Sequence, residues 1–260
     1  MNPISRPALA MLILALTFLL GPFIVIFVAG FSADETLAFP PTSYGLRWFG
    51  YLFGVEAFQR SFVTSLVVGA GSTLAALAFG VPVAYALSRY DFRGKDALRG
   101  LLTLPLVVPG IIVGLALLDL MVLVYALPVT LGLLIGHTTL LIPYTVRVVG
   151  SSLSNLRSDI DDAAITLGAT RLQAFFKVVL PNIRGGVAAA AVLAFITSFN
   201  QVPVSLFLTG PGVSTLPIEM MAYMETSYDP SIAALSTLLV LFTIAVVAAT
   251  EKLLGISKYV

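Results

Sequence analysis

The chain has 260 residues, of which 58% are apolar and only 10% are charged. Soluble domains carry roughly 25% charged residues, so the composition excludes an ordinary globular protein and predicts one embedded in a membrane. A net charge of +1 offers no footprint for nucleic acid, and the absence of cysteine excludes disulfides, iron–sulfur clusters and thiol catalysis.

The first apolar run, 8–31, follows Arg6. A secretory signal has an apolar region of roughly 7–15 residues and a small-residue cleavage site. This run is longer and reads as a retained first span. Five more runs of membrane-spanning type follow at 62–87, 101–125, 131–146, 187–208 and 232–254. A spanning helix needs about 20 residues because each rises about 1.5 Å through roughly 30 Å of hydrocarbon. The third and fourth runs nearly merge, and Pro128 with Gly132 places a tight turn between them. Pro105 and Pro109 predict a kink at the start of the third run.

Between the first two runs lies 32–60, with Trp48, Phe49, Tyr51 and Phe53. Amphipathic rings of this kind suit the headgroup level, so these residues are expected to anchor the segment at the membrane surface or to take part in binding. Segment 209–231 carries Glu219, Glu225 and Asp229 and no Lys or Arg. It is expected to be solvated or to dock a soluble partner through Glu219 and Glu225.

An even number of spans puts both termini on one side, and the basic residues agree. Arg6, Arg89, Arg93, Lys95, Arg99, Arg147, Arg157, Arg171, Lys177, Arg184, Lys252 and Lys258 fall on that side, and only Arg47 and Arg60 fall on the other. Twelve against two predicts cytoplasmic termini by the positive-inside rule. Arg147, at the inner end of the fourth run, is placed to snorkel to the headgroups.

The largest inner segment is 147–186. From Asp161 to Pro181 it reads "DDAAITLGATRLQAFFKVVLP". Ser158 is the expected N-cap of a first short helix, with Asp159, Asp161 and Asp162 in its first turn, where the helix dipole favours negative charge. Ile160, Ala163, Ala164 and Leu167 have helical spacing, and Gly168 ends the pattern. Thr170 and Gln173 form a capping box for a second helix bearing Leu172, Phe175, Phe176 and Val179, which Pro181 is expected to end. A pair of capped helices with apolar stripes rests on a membrane or grips a partner.

The stretch resembles the signature loop of the transmembrane permease subunits of binding-protein-dependent ABC importers: Glu-Ala-Ala, three residues, Gly, nine residues, Ile, one residue, Leu-Pro. Asp162, Ala163, Ala164, Gly168, Val178, Leu180 and Pro181 fall in register, with Asp for Glu at 162 and Val for Ile at 178. "YALSRYDFRGKDALRG", "LPLVVPGIIVG", "GHTTLLIPY" and "FLTGP" extend the likeness over most of the chain, toward the spermidine/putrescine class. The resemblance implies an all-α integral membrane protein of the type I ABC importer permease fold, with six transmembrane helices. Residues 1–61 would hold the first helix and outer aromatic loop, and 62–260 a five-helix core containing the coupling loop 147–186. It implies coupling to ATPase subunits through Asp162, Ala163, Ala164, Leu167, Gly168 and Ala169. The implied partners are two ATPases, a second permease subunit of different sequence and an extracytoplasmic solute-binding protein, in a bacterial inner membrane. ATP and Mg would bind the ATPases, leaving this chain without a cofactor or catalytic residues. The chain has no G-x-x-x-x-G-K-[ST] phosphate loop, since "RGKD" at 93–96 lacks the upstream glycine.

Polar residues inside apolar runs are the candidates for a solute pathway. They are Asp119, His137, Asn200 and Gln201. Each also has a packing reading: Asp119 as an interhelix partner, His137 as a satisfied core residue, and Asn200 and Gln201 as amides bonding across helices. The neutral "SFNQVPV" at 198–204 departs from the acidic character that a polycationic solute favours, which leaves polyamine-like and other small polar solutes open. An intramembrane enzyme would need a catalytic constellation, and the sequence has no H-E-x-x-H and no carboxylate pair at helical spacing within a run. An ion-coupled carrier or channel would use Asp119 but leave the signature loop without a role.

Overall fold

A computed structural model describes residues 5–254. Lys258, expected on the inner side, lies outside them. Among the described residues the chain is helical, with isolated bridges only at Ser32 with Tyr44 and at Gly210 with Val213. Its helices run α1 to α12 in chain order.

Four are long and apolar enough to cross a membrane: α1 (Arg6–Gly30), α3 (Glu56–Arg89), α6 (Val129–Ser154) and α12 (Ser231–Leu254). Two further candidates are bent pairs. Helix α4 (Lys95–Val107) meets α5 (Gly110–Leu118, continued by a π-helical stretch Asp119–Val124) at 99°. Helix α8 (Arg171–Asn182) meets α9 (Arg184–Phe199) at 73°. The short helices are α2 (Arg47–Leu52), α7 (Asp159–Thr166), α10 (Ser205–Leu208) and α11 (Leu216–Thr226).

Several boundaries differ from the apolar runs. The expected turn at Pro128 forms, with Pro128 as the residue before α6, but Gly132 lies inside that helix and is buried. Helix α6 continues to Ser154, so Arg147 is helical rather than part of the loop. The run 187–208 is not one helix: α9 stops at Phe199, and α10 starts at Ser205. Of the paired prolines, Pro105 sits within α4 while Pro109 makes the break. A proline disfavours α conformation in the residue before it, and Val108 is accordingly extended at φ −72°, ψ 131°.

The chain divides into two compact units. One consists of Met1–Gln59 with Met220–Ile244. In it α1 approaches α12 where a side chain is missing: a Cβ on Gly30 would stand 2.8 Å from Thr237 Oγ1 and 3.0 Å from the Ala233 carbonyl oxygen. The following loop is organised by Asp34, whose carboxylate accepts from the Thr42 backbone N–H (2.8 Å), the Thr42 hydroxyl (2.7 Å) and the Ser43 hydroxyl (2.6 Å). These bonds, that from Ser43 foremost, hold its pKa at about 2. Trp48 does not face outward as expected. It is buried and donates its indole N–H to the Asp34 carbonyl at 3.0 Å, because a buried indole needs an acceptor. Tyr51 and Phe53 are exposed, and the Phe49 ring meets that of Phe31 at a tilt of 53°, with centroids 5.0 Å apart. Tyr223 donates to Asp229 at 2.8 Å, and burial chiefly pushes its phenol up to about 12.

The other unit is Arg60–Glu219 with Ala245–Val260. Its centre is α6, which packs on α3 and α9. One apolar cluster joins Val81 and Ala84 of α3, Val149 and Leu153 of α6, and Phe175 and Val179 of α8. A second joins Val68, Leu133, Leu140, Val204 and Leu208. With 34 residues, α3 is about 51 Å long, against a hydrocarbon layer of roughly 30 Å. Its last turns therefore project beyond the apolar span, and the loop after α6 rests on them.

Candidate functional site

The loop carrying the signature spacing is built on α7 and α8. Ser158 contributes no side-chain cap and is itself α-helical at φ −72°, ψ −24°. The first turn of α7 is stabilised instead by its three carboxylates. Asp159 pairs with Arg157, whose hydrogen bond holds the Asp159 carboxyl below the usual range. At the other end Gly168 has φ +92°, which strains any residue bearing a Cβ. Its N–H donates to Ile165 O at 2.9 Å, and the Ala169 N–H donates to Ala164 O at 3.1 Å. This is a Schellman motif, which satisfies the last carbonyls of α7 and turns the chain sharply.

The capping box forms as expected: the Gln173 N–H donates to Thr170 Oγ1 at 3.2 Å, and the Thr170 N–H donates to Gln173 Oε1 at 2.9 Å. Pro181 does not end α8. A π-helical stretch, Phe175–Val179, leads through Leu180 and Pro181 to Asn182, and the break falls at Ile183. In π geometry the bonds run i→i+5. The apolar stripe of α8 divides: Phe175 and Val179 are buried in the cluster with α3 and α6, whereas Leu172 and Phe176 are exposed.

One carboxylate fixes the pair to the rest of the unit. Asp161 is only 7% exposed. Its Oδ2 accepts from the Tyr85 hydroxyl at 2.9 Å and lies 3.3 Å from Arg89 Nε. Arg89 also donates through Nη2 to the carbonyls of Leu156 (3.1 Å) and Arg157 (3.4 Å). The end of α3 thus holds both the end of α6 and the start of α7. Rings complete the seat: Tyr85 lies 4.9 Å from Phe175, and the Arg171 guanidinium sits 5.5 Å over Tyr90. At the far side of the bend, a Cβ on Gly186 would collide with the Ser152 side chain, so α9 crosses α6 in near backbone contact.

The face turned away from this seat is different. Asp162, Ala163, Leu167 and Gly168 are exposed, and Ala164 and Ala169 are half-buried. Leu167 is 89% exposed and Leu172 68%. These apolar side chains thus stand out from an anchored support.

The polar candidates in the apolar runs do not make one cluster. His137 is buried, with Nδ1 2.7 Å from the Ser198 hydroxyl and Nε2 2.9 Å from the Ser205 hydroxyl. It bridges the end of α9 to the start of α10 and so closes over the irregular segment 200–204. Asn200 does not bond across helices. Its amide donates to Ile196 O in its own helix at 3.0 Å and caps α9, and Gln201 is half-buried. Asp119 is exposed at the start of the π-helical stretch, and its carboxylate has no hydrogen bond or ion pair among the described residues. Glu219 lies half-buried in the first turn of α11, and Glu225 is exposed near that helix's end.

The profile of the family "Binding-protein-dependent transport system inner membrane component" matches residues 76–254. The chain belongs to that family. As a member, it is 33% identical over 238 residues to the Escherichia coli K12 putrescine transport system permease protein PotI, covering 89% of this chain and 84% of that protein. It is 28% identical over 252 residues to the spermidine/putrescine transport system permease protein PotC of Haemophilus influenzae, covering 93% and 94%. Among solved structures, a bacterial ABC transporter involved in the import of the acidic polysaccharide alginate superposes with a TM-score of 0.72 at 20% identity, covering 97% of this chain and 99% of that one. The MetNI methionine ABC transporter gives 0.63 at 20% identity, covering 76% and 94%. The fold is therefore that of ABC importer permeases.

For this permease, the sequence places the coupling candidates on α7 and its turn but does not single out Asp161. Three acids share one helical turn, and composition treats them alike. What distinguishes Asp161 is that it faces Tyr85 and Arg89, and that pairing exists only in three dimensions.

Proposed function

We propose that this permease is the membrane-spanning subunit of an ATP-driven importer, with six spans formed by α1, α3, α4–α5, α6, α8–α9 and α12. Both termini lie in the cytoplasm of a bacterium, in keeping with the distribution of basic residues. The observation that carries the reading is the α7–α8 pair, which is seated on α3 and α6 through Asp161, Tyr85 and Phe175 while Leu167 and Leu172 stand exposed. A rigid body with an apolar outer face converts movement of a partner into movement of the helices beneath it.

In this reading Asp162, Ala163, Ala164, Leu167, Gly168 and Ala169 contact a separate ATPase subunit, two of which bind ATP and Mg in the assembly. A second permease subunit, different in sequence, completes the pathway. An extracytoplasmic binding protein delivers the solute, and Glu219 and Glu225 serve its docking. Rocking of the bundles alternates access to a site between the permeases. Asn200, Gln201, Asp119 and His137 belong to the solute pathway or its walls. The names of the relatives point to a small polyamine-like solute. This chain's neutral Asn200 and Gln201 widen that class to other small polar organic solutes.

The test is copurification. A tagged chain brings down an ATPase subunit, and Gly168→Pro or Ala164→Glu abolishes that capture while leaving the chain in the membrane. Unaltered capture by both variants would overturn the coupling assignment.

A further inference from the structure

A cavity of about 550 Å³ opens between α3, α4 and α6. That is within the roughly 300–1,000 Å³ typical of small-ligand sites. Its lining holds four cations, Arg89, Lys95, Arg99 and Arg147, and no acidic residue. The rest of the wall is largely apolar, with Leu87, Leu102 and Val146 among it.

The cations are unequally satisfied. Arg89 is committed to Asp161 and two carbonyls. Lys95 pairs with Asp91 at 2.8 Å and Arg99 with Asp96 at 3.9 Å, but these two carboxylates are 99% and 95% exposed. Ion pairs of that kind contribute little and exchange freely with water. Arg147 is exposed and has no acidic partner among the described residues. Three cations at the mouth of one partly apolar cavity therefore have charge and donors available for an anion. Guanidinium groups suit phosphate in particular, because their fork of N–H donors matches two of its oxygens.

We infer that this cavity binds a phosphate ester anion, and that in the membrane the ligand is the headgroup of an anionic phospholipid. The inference rests on the proposed reading in one respect, that α3, α4 and α6 stand in a bilayer with these ends at its inner surface. Basic pockets between spanning helices at that surface are suited to lipid phosphate, and the apolar wall beside the cations receives the start of an acyl chain. The occupant would lie against Arg89, next to the Arg89–Asp161 pair that holds the α7–α8 seat, so it would brace the support of that loop.

The full chain, purified with whatever subunits accompany it, is placed in detergent supplemented with phosphatidylglycerol or phosphatidylcholine and measured by native mass spectrometry. Phosphatidylglycerol is expected to be retained in preference. Each basic residue at a lipid surface contributes about a fivefold factor, so Arg147→Gln should weaken retention about fivefold and Arg99→Gln with Arg147→Gln about thirtyfold. Arg147→Lys should keep most of it, which separates lost charge from lost folding. Inorganic phosphate is added as the second arm. Competition at millimolar concentration assigns the site to soluble phosphate of the same chemistry, and its absence assigns it to lipid. Equal retention of phosphatidylcholine, or a double variant that binds as the parent does, would overturn the proposal. Selective binding by a chain that captures no ATPase would count against the transport reading and leave this site standing.

Discussion

The two bent pairs make an instructive contrast. Each has a proline near its break: Pro109 at the junction of α4 and α5, and Pro181 two residues before Ile183. At the first, Pro109 forces Val108 out of helical conformation, and α4 beyond it has no buried residue. At the second, Ile183 is 1% exposed, and both arms are packed, α8 through Phe175 and Val179 and α9 through Ala188, Ala190 and Ala194. The first bend is a local backbone event, and its arm α4 lies against α6 without burying a residue. The second is held by tertiary contacts and lies directly beneath the signature loop. What proline does at each place is decided by the packing around it.

Breaking the anchor of the loop above the second bend has the largest effect. Asp161→Ala leaves the Arg89 guanidinium buried without its acid, and loss of one partner of such a pair costs about 3–5 kcal/mol. Denaturation of the solubilised chain should show it, together with loss of ATPase capture. Asp161→Asn keeps an acceptor for Tyr85 and should lose less. Next comes Gly186→Ala, whose new Cβ meets Ser152; overpacking costs about 1–3 kcal/mol. Adding Ser152→Gly should recover most of that loss, and failure of the rescue would show that the two helices do not cross at this point. Thr170→Ala removes the cap of α8 and should cost about 1 kcal/mol, with the thermal midpoint as readout.

The first bend should respond differently. Pro109→Ala is expected to change stability by no more than about 0.5 kcal/mol, as for substitutions away from packed features, yet to let α4 straighten onto α5. Spin labels at positions 96 and 118 should then move apart. A large stability loss there would erase the distinction between the bends. The smallest effect belongs to the surface pair Arg157–Asp159. The Asp159 carboxyl is depressed below its ordinary value of 3.8 by the Arg157 hydrogen bond. Its stabilisation is present above that value and is lost as pH falls through the lower folded value. Asp159→Asn should remove that part of the acid dependence of unfolding and little else.

Much of the loop is legible in the order of its residues. Gly168 and the Thr170–Gln173 box are local devices, complete within a few residues, so spacing reveals them. Membrane burial is likewise legible, because long apolar runs have few other uses. The features that stay hidden depend on distant segments or on backbone detail. Asp161 is chosen from three neighbouring acids by Tyr85 and Arg89, which precede it by about 70 residues. Trp48 turns inward because Asp34 offers a carbonyl. Pro181 stays helical because the π-helical stretch before it changes the bonding register. Asn200 caps its own helix rather than crossing to another: α9 ends there, and its backbone N–H and side-chain amide both donate to the Ile196 carbonyl.

The His137 clamp has a consequence of its own. Both of its ring nitrogens face serine hydroxyls, and a hydroxyl donates or accepts as it is rotated. Whichever nitrogen carries the proton, one serine can donate and the other accept. The two tautomers are therefore matched by a concerted turn of two hydroxyls, with no charge created and no bond forfeited. The join between α9 and α10 is thus a reversible polar rivet, able to invert its direction while its length is conserved. Alanine at either serine would freeze that inversion into a single sense.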